Sequence, residues 1–111
     1  SGAAPMVALL PRSGDAAISK WELLQKEREL SFGEYASFAV AYPAYPRMEI
    51  IRLRAEKALE MEAPGRTDLL RFFDAHPPLT NPARARYAMA LASAGRVEAF
   101  QVARDAWRWR W

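Results

Sequence analysis

The residues in this chain best suited to chemistry form the run Trp107-Arg108-Trp109-Arg110-Trp111. Alternating tryptophan and arginine suits a membrane interface, stacking on sugar rings, or single-stranded nucleic acid, because each indole offers a flat apolar face beside a fixed cation. On a helix, Trp107 and Trp111 fall on one side and Trp109 on another. Two exposed tryptophans in that setting read first as scaffold that continues past them. Catalysis needs a constellation, and none is spelled out. Glu56, Glu60 and Glu62 are expected on an exposed helix face, whereas a general acid needs a partly apolar cleft to raise its pKa. The serines have no second histidine or lysine pattern around them to activate a nucleophile. Five scattered glycines give no phosphate-cradling loop. With no cysteine and one histidine, neither a thiolate site nor a histidine metal cluster is expected, and no cofactor is implied. His76, between Ala75 and Pro77, reads as a packing and capping residue, since an imidazole in a last helical turn complements the C-terminal dipole.

The elements that must position these residues repeat. Phe38-Ala-Val-Ala-Tyr42-Pro43 and Phe72-Phe-Asp-Ala-His76-Pro77 share a phenylalanine, three residues, a large ring and a proline, 34 residues apart. Such a period without strand signals between the copies is the signature of stacked helical hairpins, which bury their apolar faces only against neighbours. Those units build scaffolds and binding surfaces. The expected fold is therefore all-α, about six helices in stacked antiparallel hairpins, an α-solenoid or superhelix of tetratricopeptide-like type.

The bulk composition agrees with one modest domain. Of 111 residues, 51% are hydrophobic and 26% charged, a globular balance and not a disordered one. No apolar run approaches the roughly 18–20 residues needed to cross a bilayer, so no transmembrane segment is expected. Segment 1–14 reads as a flexible, loosely held N-terminal segment, apart from the apolar patch Val7-Ala-Leu-Leu10. Residues 15–111 read as a single helical-repeat domain, a piece of a longer superhelix. The net charge of +3 is uneven: residues 81–111 carry +4 and the first 80 carry −1. A basic end points to an anionic partner or simply to a solvated helix face.

Local signals set the expected boundaries. Asp15 is read as the N-cap of a first helix to about Arg28, with Ile18, Trp21 and Leu24 or Gln25 inward. Ser31-Phe-Gly-Glu34 fits a capping box opening a helix over 32–41, which Pro43 stops. Pro46 suits the first turn of a third helix, to about Glu62, with Ile50, Ile51, Leu53, Ala55, Ala58 and Leu59 on its apolar face. Pro64-Gly65 breaks the chain, and Thr67 is expected to cap a fourth helix. Asn81-Pro82 predicts the N-cap and first turn of a fifth helix, 82–94, with Gly95 following its end. A sixth carries Val97, Phe100, Ala103 and Trp107 as its stripe.

The residues also resemble a family. Tyr-Pro-Arg-Met-Glu-Ile-Ile-Arg-Leu-Arg-Ala-Glu-Lys-Ala-Leu, from Tyr45 to Leu59, is similar to the hairpin that opens the superhelical region of soluble lytic murein transglycosylases. So is Leu-Arg-Phe-Phe-Asp-Ala-His-Pro-Pro-Leu-Thr, from Leu70 to Thr80. The stretches Arg84–Arg96 and Ala103–Arg108 look like that family's next pair. There, a ring of helical hairpins precedes a lysozyme-like domain that cleaves the bond between N-acetylmuramic acid and N-acetylglucosamine, leaving an anhydro-sugar. That domain's Glu-Ser pair and Gly-Leu-Met-Gln motif do not occur in this chain. The resemblance thus implies a periplasmic scaffold that holds a peptidoglycan glycan strand, with the catalytic residues outside these 111 positions. Under it, Tyr87, Arg104, Trp107 and Arg108 are the candidates for substrate contact: tryptophan stacks on pyranose faces and arginine pairs with stem-peptide carboxylates.

A second reading is a tetratricopeptide-like module that grips a segment of a partner protein. The 34-residue period and Ala92-Ser-Ala-Gly95-Arg-Val-Glu-Ala99-Phe100 favour it, while the Trp, Leu-Gly and Tyr positions of that repeat are not met. Nucleic acid is the weakest of the three partners, because only the basic end speaks for it.

Overall fold

Proline and a ring residue end the helices at both copies of the repeat. In the computed structural model, which describes residues 6–108, Tyr42 and His76 are the residues just past helices α2 (Phe32–Ala41) and α4 (Arg66–Ala75). Their backbones share φ, −130° and −132°, with ψ at 59° and 94°, and each amide donates to the phenylalanine carbonyl four residues back, Phe38 or Phe72, at 2.8 Å. The rings fold back on those phenylalanines, with centroids 4.9 Å apart for Phe38–Tyr42 and 5.8 Å for Phe72–His76. Pro43 and Pro77 have no N–H to continue either helix. The expected packing and capping role of His76 is what its burial and position give.

The remaining helices are α1 (Gly14–Lys26), α3 (Met48–Ala58), α5 (Asn81–Ser93) and α6 (Glu98–Arg108), with a 3-10 turn over Met6–Leu9. Among the described residues there are six α-helices and no strand, so the chain is all-α. The helices group into two units that divide after Glu62: α1 to α3, and α4 to α6.

In the first unit, α2 packs on α3, and α1 lies against both. Phe32, Tyr35, Phe38, Leu24 and Ile51 are wholly buried there, and each such large apolar side chain contributes about 1.5–3 kcal/mol by leaving water. The Met6–Leu9 turn, overlapping the apolar patch read from the sequence, packs on α2: Leu9 Cδ1 sits 3.0 Å from where a side chain on Gly33 would begin. Where α1 ends, its carbonyls find donors on the other two helices. The Tyr35 hydroxyl donates to Glu27 O and accepts from Leu30 N–H at 3.2 Å, while Arg54 Nη1 donates to Leu24 O at 2.7 Å. Trp21 Nε1 donates to Pro46 O at 2.7 Å, and its ring meets Tyr45, which also packs on Phe38 and Tyr42.

In the second unit, Leu69, Phe72 and Phe73 of α4 face Ala83, Ala88, Ala90 and Leu91 of α5, and α5 also packs on α6. Small alanine side chains let packed helix axes approach closely.

Several boundaries differ from expectation. The N-cap of α1 is Ser13, whose hydroxyl accepts from Ala16 N–H at 3.1 Å, and Asp15 sits inside the first turn, where its charge meets the dipole. Helix α5 is capped by Thr80 and not Asn81, and Asn81 Oδ1 instead accepts from Arg84 at 2.7 Å. Gly65, not Thr67, precedes α4. Pro46 lies outside α3, because Arg47 turns left-handed at φ 59° before the helix begins. At its far end α3 closes in tighter turns, Leu59 N–H to Glu56 O and Met61 N–H to Ala58 O.

The inward faces also shift. Ala17 and Leu24 are buried on α1 while Ile18 is exposed; Ile51, Ala55 and Leu59 are buried on α3 while Ile50 and Leu53 turn outward. Glu56, expected in solvent, is buried, and Glu62 reaches back to accept from Phe32 N–H at 2.8 Å. Ser31 caps α2 as expected, accepting from Glu34 N–H at 3.2 Å, but the Glu34 carboxylate goes to Lys20 of α1. Ser31→Ala therefore removes one cap bond and is expected to cost about 1 kcal/mol in urea unfolding. An unchanged unfolding midpoint would show that water serves the Glu34 amide equally well.

Candidate functional site

One backbone turn assembles the main polar cluster. Gly95 adopts φ +72°, where a side chain is strained, and so turns the chain out of α5. Its amide donates to Ala92 O at 3.0 Å and the Arg96 amide reaches Leu91 O at 2.9 Å, the paired bonds of a Schellman ending. That turn aims the Arg96 guanidinium between α4 and the start of α6. Arg96 Nη1 donates to Asp74 Oδ2 at 2.7 Å, and Nε and Nη2 both donate to Glu98 Oε2 at 3.0 and 2.5 Å. The Tyr87 hydroxyl of α5 donates to the other oxygen, Asp74 Oδ1, at 2.6 Å, with its ring 5.4 Å from Phe73.

The electrostatics follow from these bonds. The Arg96 hydrogen bond holds Asp74 below its ordinary carboxylate range, against partial burial that pushes the other way. Glu98 is lowered too, first by Arg96 and then by a backbone N–H. Burial, and then the bond to the Asp74 carboxylate, push the Tyr87 hydroxyl up to about 12. Arg96 itself is held still more firmly in its charged form by both acids. Near neutrality every member keeps one protonation state. General acid–base work needs the opposite, a group poised to exchange a proton near the working pH. The cluster acts as a clasp joining α4, α5 and the first turn of α6.

Helix α6 presents the second feature. Its inward side is Ala99, Val102 and Ala106, all half-buried against α5. The stripe read from the sequence faces outward instead: Val97 is 89% exposed, Phe100 76% and Trp107 62%. Arg104 lies along this helix with its guanidinium 5.9 Å over the Phe100 ring and a 2.8 Å bond to Gln101. Arg108 is exposed one turn further on.

The four residues anticipated for substrate contact are thus divided. Arg104, Trp107 and Arg108 share α6. Tyr87 is engaged by Asp74 and Phe73 on α4, so its hydroxyl is already bonded within the protein. Trp109, Arg110 and Trp111 lie outside the described residues. Asp74, Arg96 and Glu98 were not anticipated from the sequence, although Gly95 as a helix terminator was the signal that fixes where Arg96 leaves the helix. Among the described residues, no group of three or more acids or histidines is placed to hold a metal, and no helix is long and apolar enough to cross a membrane. No protein-family model, curated protein or solved structure matches the chain.

The clasp makes stability depend on pH in a definite direction. Asp74 and Glu98 have folded pKa values below the ordinary 3.8 and 4.5, so their contribution is whole above that range and is lost as pH falls through the lowered values. Arg96→Ala should move the acid-unfolding midpoint, followed by circular dichroism, to higher pH; an unmoved midpoint overturns the clasp. At the alkaline end, Tyr87 favours the folded state until pH rises through the interval from 10 to about 12. Its ring carbon shifts in NMR should titrate near that upper value. Gly95→Ala, which forces a side chain into the left-handed turn, should cost about 1–2 kcal/mol and weaken the Arg96 bonds.

Proposed function

We propose that this chain is a non-catalytic helical scaffold of the kind found in the superhelical region of soluble lytic murein transglycosylases. In this reading it works in the periplasm, holding a peptidoglycan glycan strand for a catalytic domain that lies outside these residues. The observation that carries the reading is the pair of helices ended by the same ring–proline stop 34 residues apart, since that unit is built for stacking side by side. The residue resemblance over Tyr45–Leu59 and Leu70–Thr80 supports it. The acids of the clasp support the non-catalytic part, because Asp74 and Glu98 are shifted away from the range a general acid needs.

The contact surface in this reading is the outer side of α6. Trp107 and Phe100 offer flat faces for pyranose rings, and Arg104 and Arg108 offer cations for stem-peptide carboxylates. Tyr87 takes part only indirectly, by holding α5 to α4. A tetratricopeptide-like module that grips a partner protein segment is the second reading. The same outward row of Val97, Phe100 and Trp107 favours it, because an amphipathic partner helix would cover such a row.

Titration calorimetry with a purified disaccharide-peptide muropeptide separates the two. Binding is expected, and Trp107→Ala should weaken it about tenfold, equivalent to roughly 1.4 kcal/mol. Absence of muropeptide binding overturns the glycan reading in favour of the protein-segment one. Release of an anhydro-sugar product by this chain alone overturns the non-catalytic reading.

A further inference from the structure

The spacing of residues along the outer side of α6 carries more than their types. Phe100 and Trp107 stand seven residues apart, about 10.5 Å along the helix axis. Arg104 leaves the helix about 6 Å past Phe100, a little over half-way between the two rings. All three positions fall within about 60° of one another around the axis, so they form one row. Their exposure agrees, since Phe100 and Trp107 both turn outward and Arg104 is exposed between them. The two acids of the helix lie at least about 100° away around the axis. Glu98 is tied to Arg96 at 2.5 Å, and Asp105 is half-buried.

Ring, cation and ring at those intervals fit an extended polymer better than a compact ligand. In a β-1,4-linked chain each sugar is turned over relative to the one before, so a given face comes round once per disaccharide. That repeat is close to two helical turns in length. Phe100 and Trp107 can therefore meet the same face of two like sugars, with one sugar of the other kind between them. Rings only one turn apart would meet opposite faces of neighbouring sugars. In peptidoglycan the intervening sugar carries the stem peptide and its carboxylates, and the residue at its level is Arg104. The guanidinium is already ordered there, 5.9 Å from the Phe100 ring centroid and bonded to Gln101 at 2.8 Å. It loses little freedom on meeting an anion.

We propose, resting on the glycan reading of this helix, that α6 holds three consecutive sugars of a peptidoglycan strand in fixed register. Phe100 and Trp107 stack on two N-acetylglucosamine rings. Arg104 pairs with a stem-peptide carboxylate on the N-acetylmuramic acid between them. The ligand class is an alternately substituted strand at least three sugars long. Neither a single disaccharide nor an unsubstituted chain fills the row.

Calorimetry on the full chain compares the disaccharide-peptide, the tetrasaccharide made of two such units, and N-acetylchitotetraose, which has the same backbone without peptides. The tetrasaccharide should bind at least about tenfold more tightly than either of the others, since its second ring contact is made within one molecule. Phe100→Ala should remove the gain over the disaccharide-peptide, and Arg104→Gln the gain over N-acetylchitotetraose. Combining Phe100→Ala with Ala103→Phe returns a ring one turn from Trp107 and should not restore the gain. All three positions are exposed, and circular dichroism checks that each variant folds. The ligand comparison on the unsubstituted chain decides the matter even if a variant misfolds. Binding of the disaccharide-peptide with no gain from the tetrasaccharide overturns the register and leaves the glycan reading standing. So does equal affinity for N-acetylchitotetraose, or a gain that the shifted ring restores. No binding of any sugar ligand overturns the glycan reading itself and the register with it. Tighter binding to phosphatidylglycerol vesicles or to a leucine-rich amphipathic peptide than to the tetrasaccharide does the same.

Discussion

A helix that stops must hand its last carbonyls to some donor, and this protein meets that constraint in only a few ways. At Tyr42 and His76 the chain leaves the helix at nearly the same φ, returns one amide to the phenylalanine four residues back, and then places proline where another turn would need an N–H. The returning ring seals the helix end against its own apolar face. The next helix follows from each stop: α3 and α5 begin only once the chain has turned, and they pack on the helices just ended. At the end of α1 the donors are side chains from elsewhere, Tyr35 of α2 and Arg54 of α3, so three helices are fixed at one point.

The end of α5 shows how such a stop also builds a charged cluster. A left-handed glycine reverses the chain in two residues, and the arginine that follows leaves at an angle fixed by two backbone bonds. A residue in an ordinary loop would sweep many directions, and its ion pairs would be worth little after the entropy of ordering them. Arg96 is instead held by its own backbone before it meets Asp74 and Glu98. The bonded network in turn holds the start of α6, a helix that has no fully buried side chain of its own.

Part of this was legible in the residues and part was not. The capping Ser31, the stop at Pro43, the span of α2 and the turn at Gly95 follow from short-range chemistry that the sequence spells out directly. The caps at Ser13 and Thr80 were misplaced by one or two positions because neighbouring residues, Asp15 and Asn81, cap helices equally well. The faces of α1 and α3 were harder. Apolar residues occur at adjacent positions on these helices, as in Ile50-Ile51, and a helix offers no internal reason to choose which one turns inward. Among the anticipated site residues, Arg104, Trp107 and Arg108 do share one helix. Tyr87 was drawn away from them by Asp74, a partner 13 residues distant that no local pattern announces.

The sequence by itself determined the class of the fold, the number of helices and where two of them stop. Those features depend on hydrogen bonds and steric limits reaching no further than four or five residues. The tertiary structure alone decided the orientation of each face: that Glu56 is buried, that Val97, Phe100 and Trp107 point to solvent, and that Ile50, Leu53 and Met61 lie exposed. Rotating a helix about its axis exchanges one apolar stripe for another at small local cost, so the outcome rests on which neighbour offers the better fit.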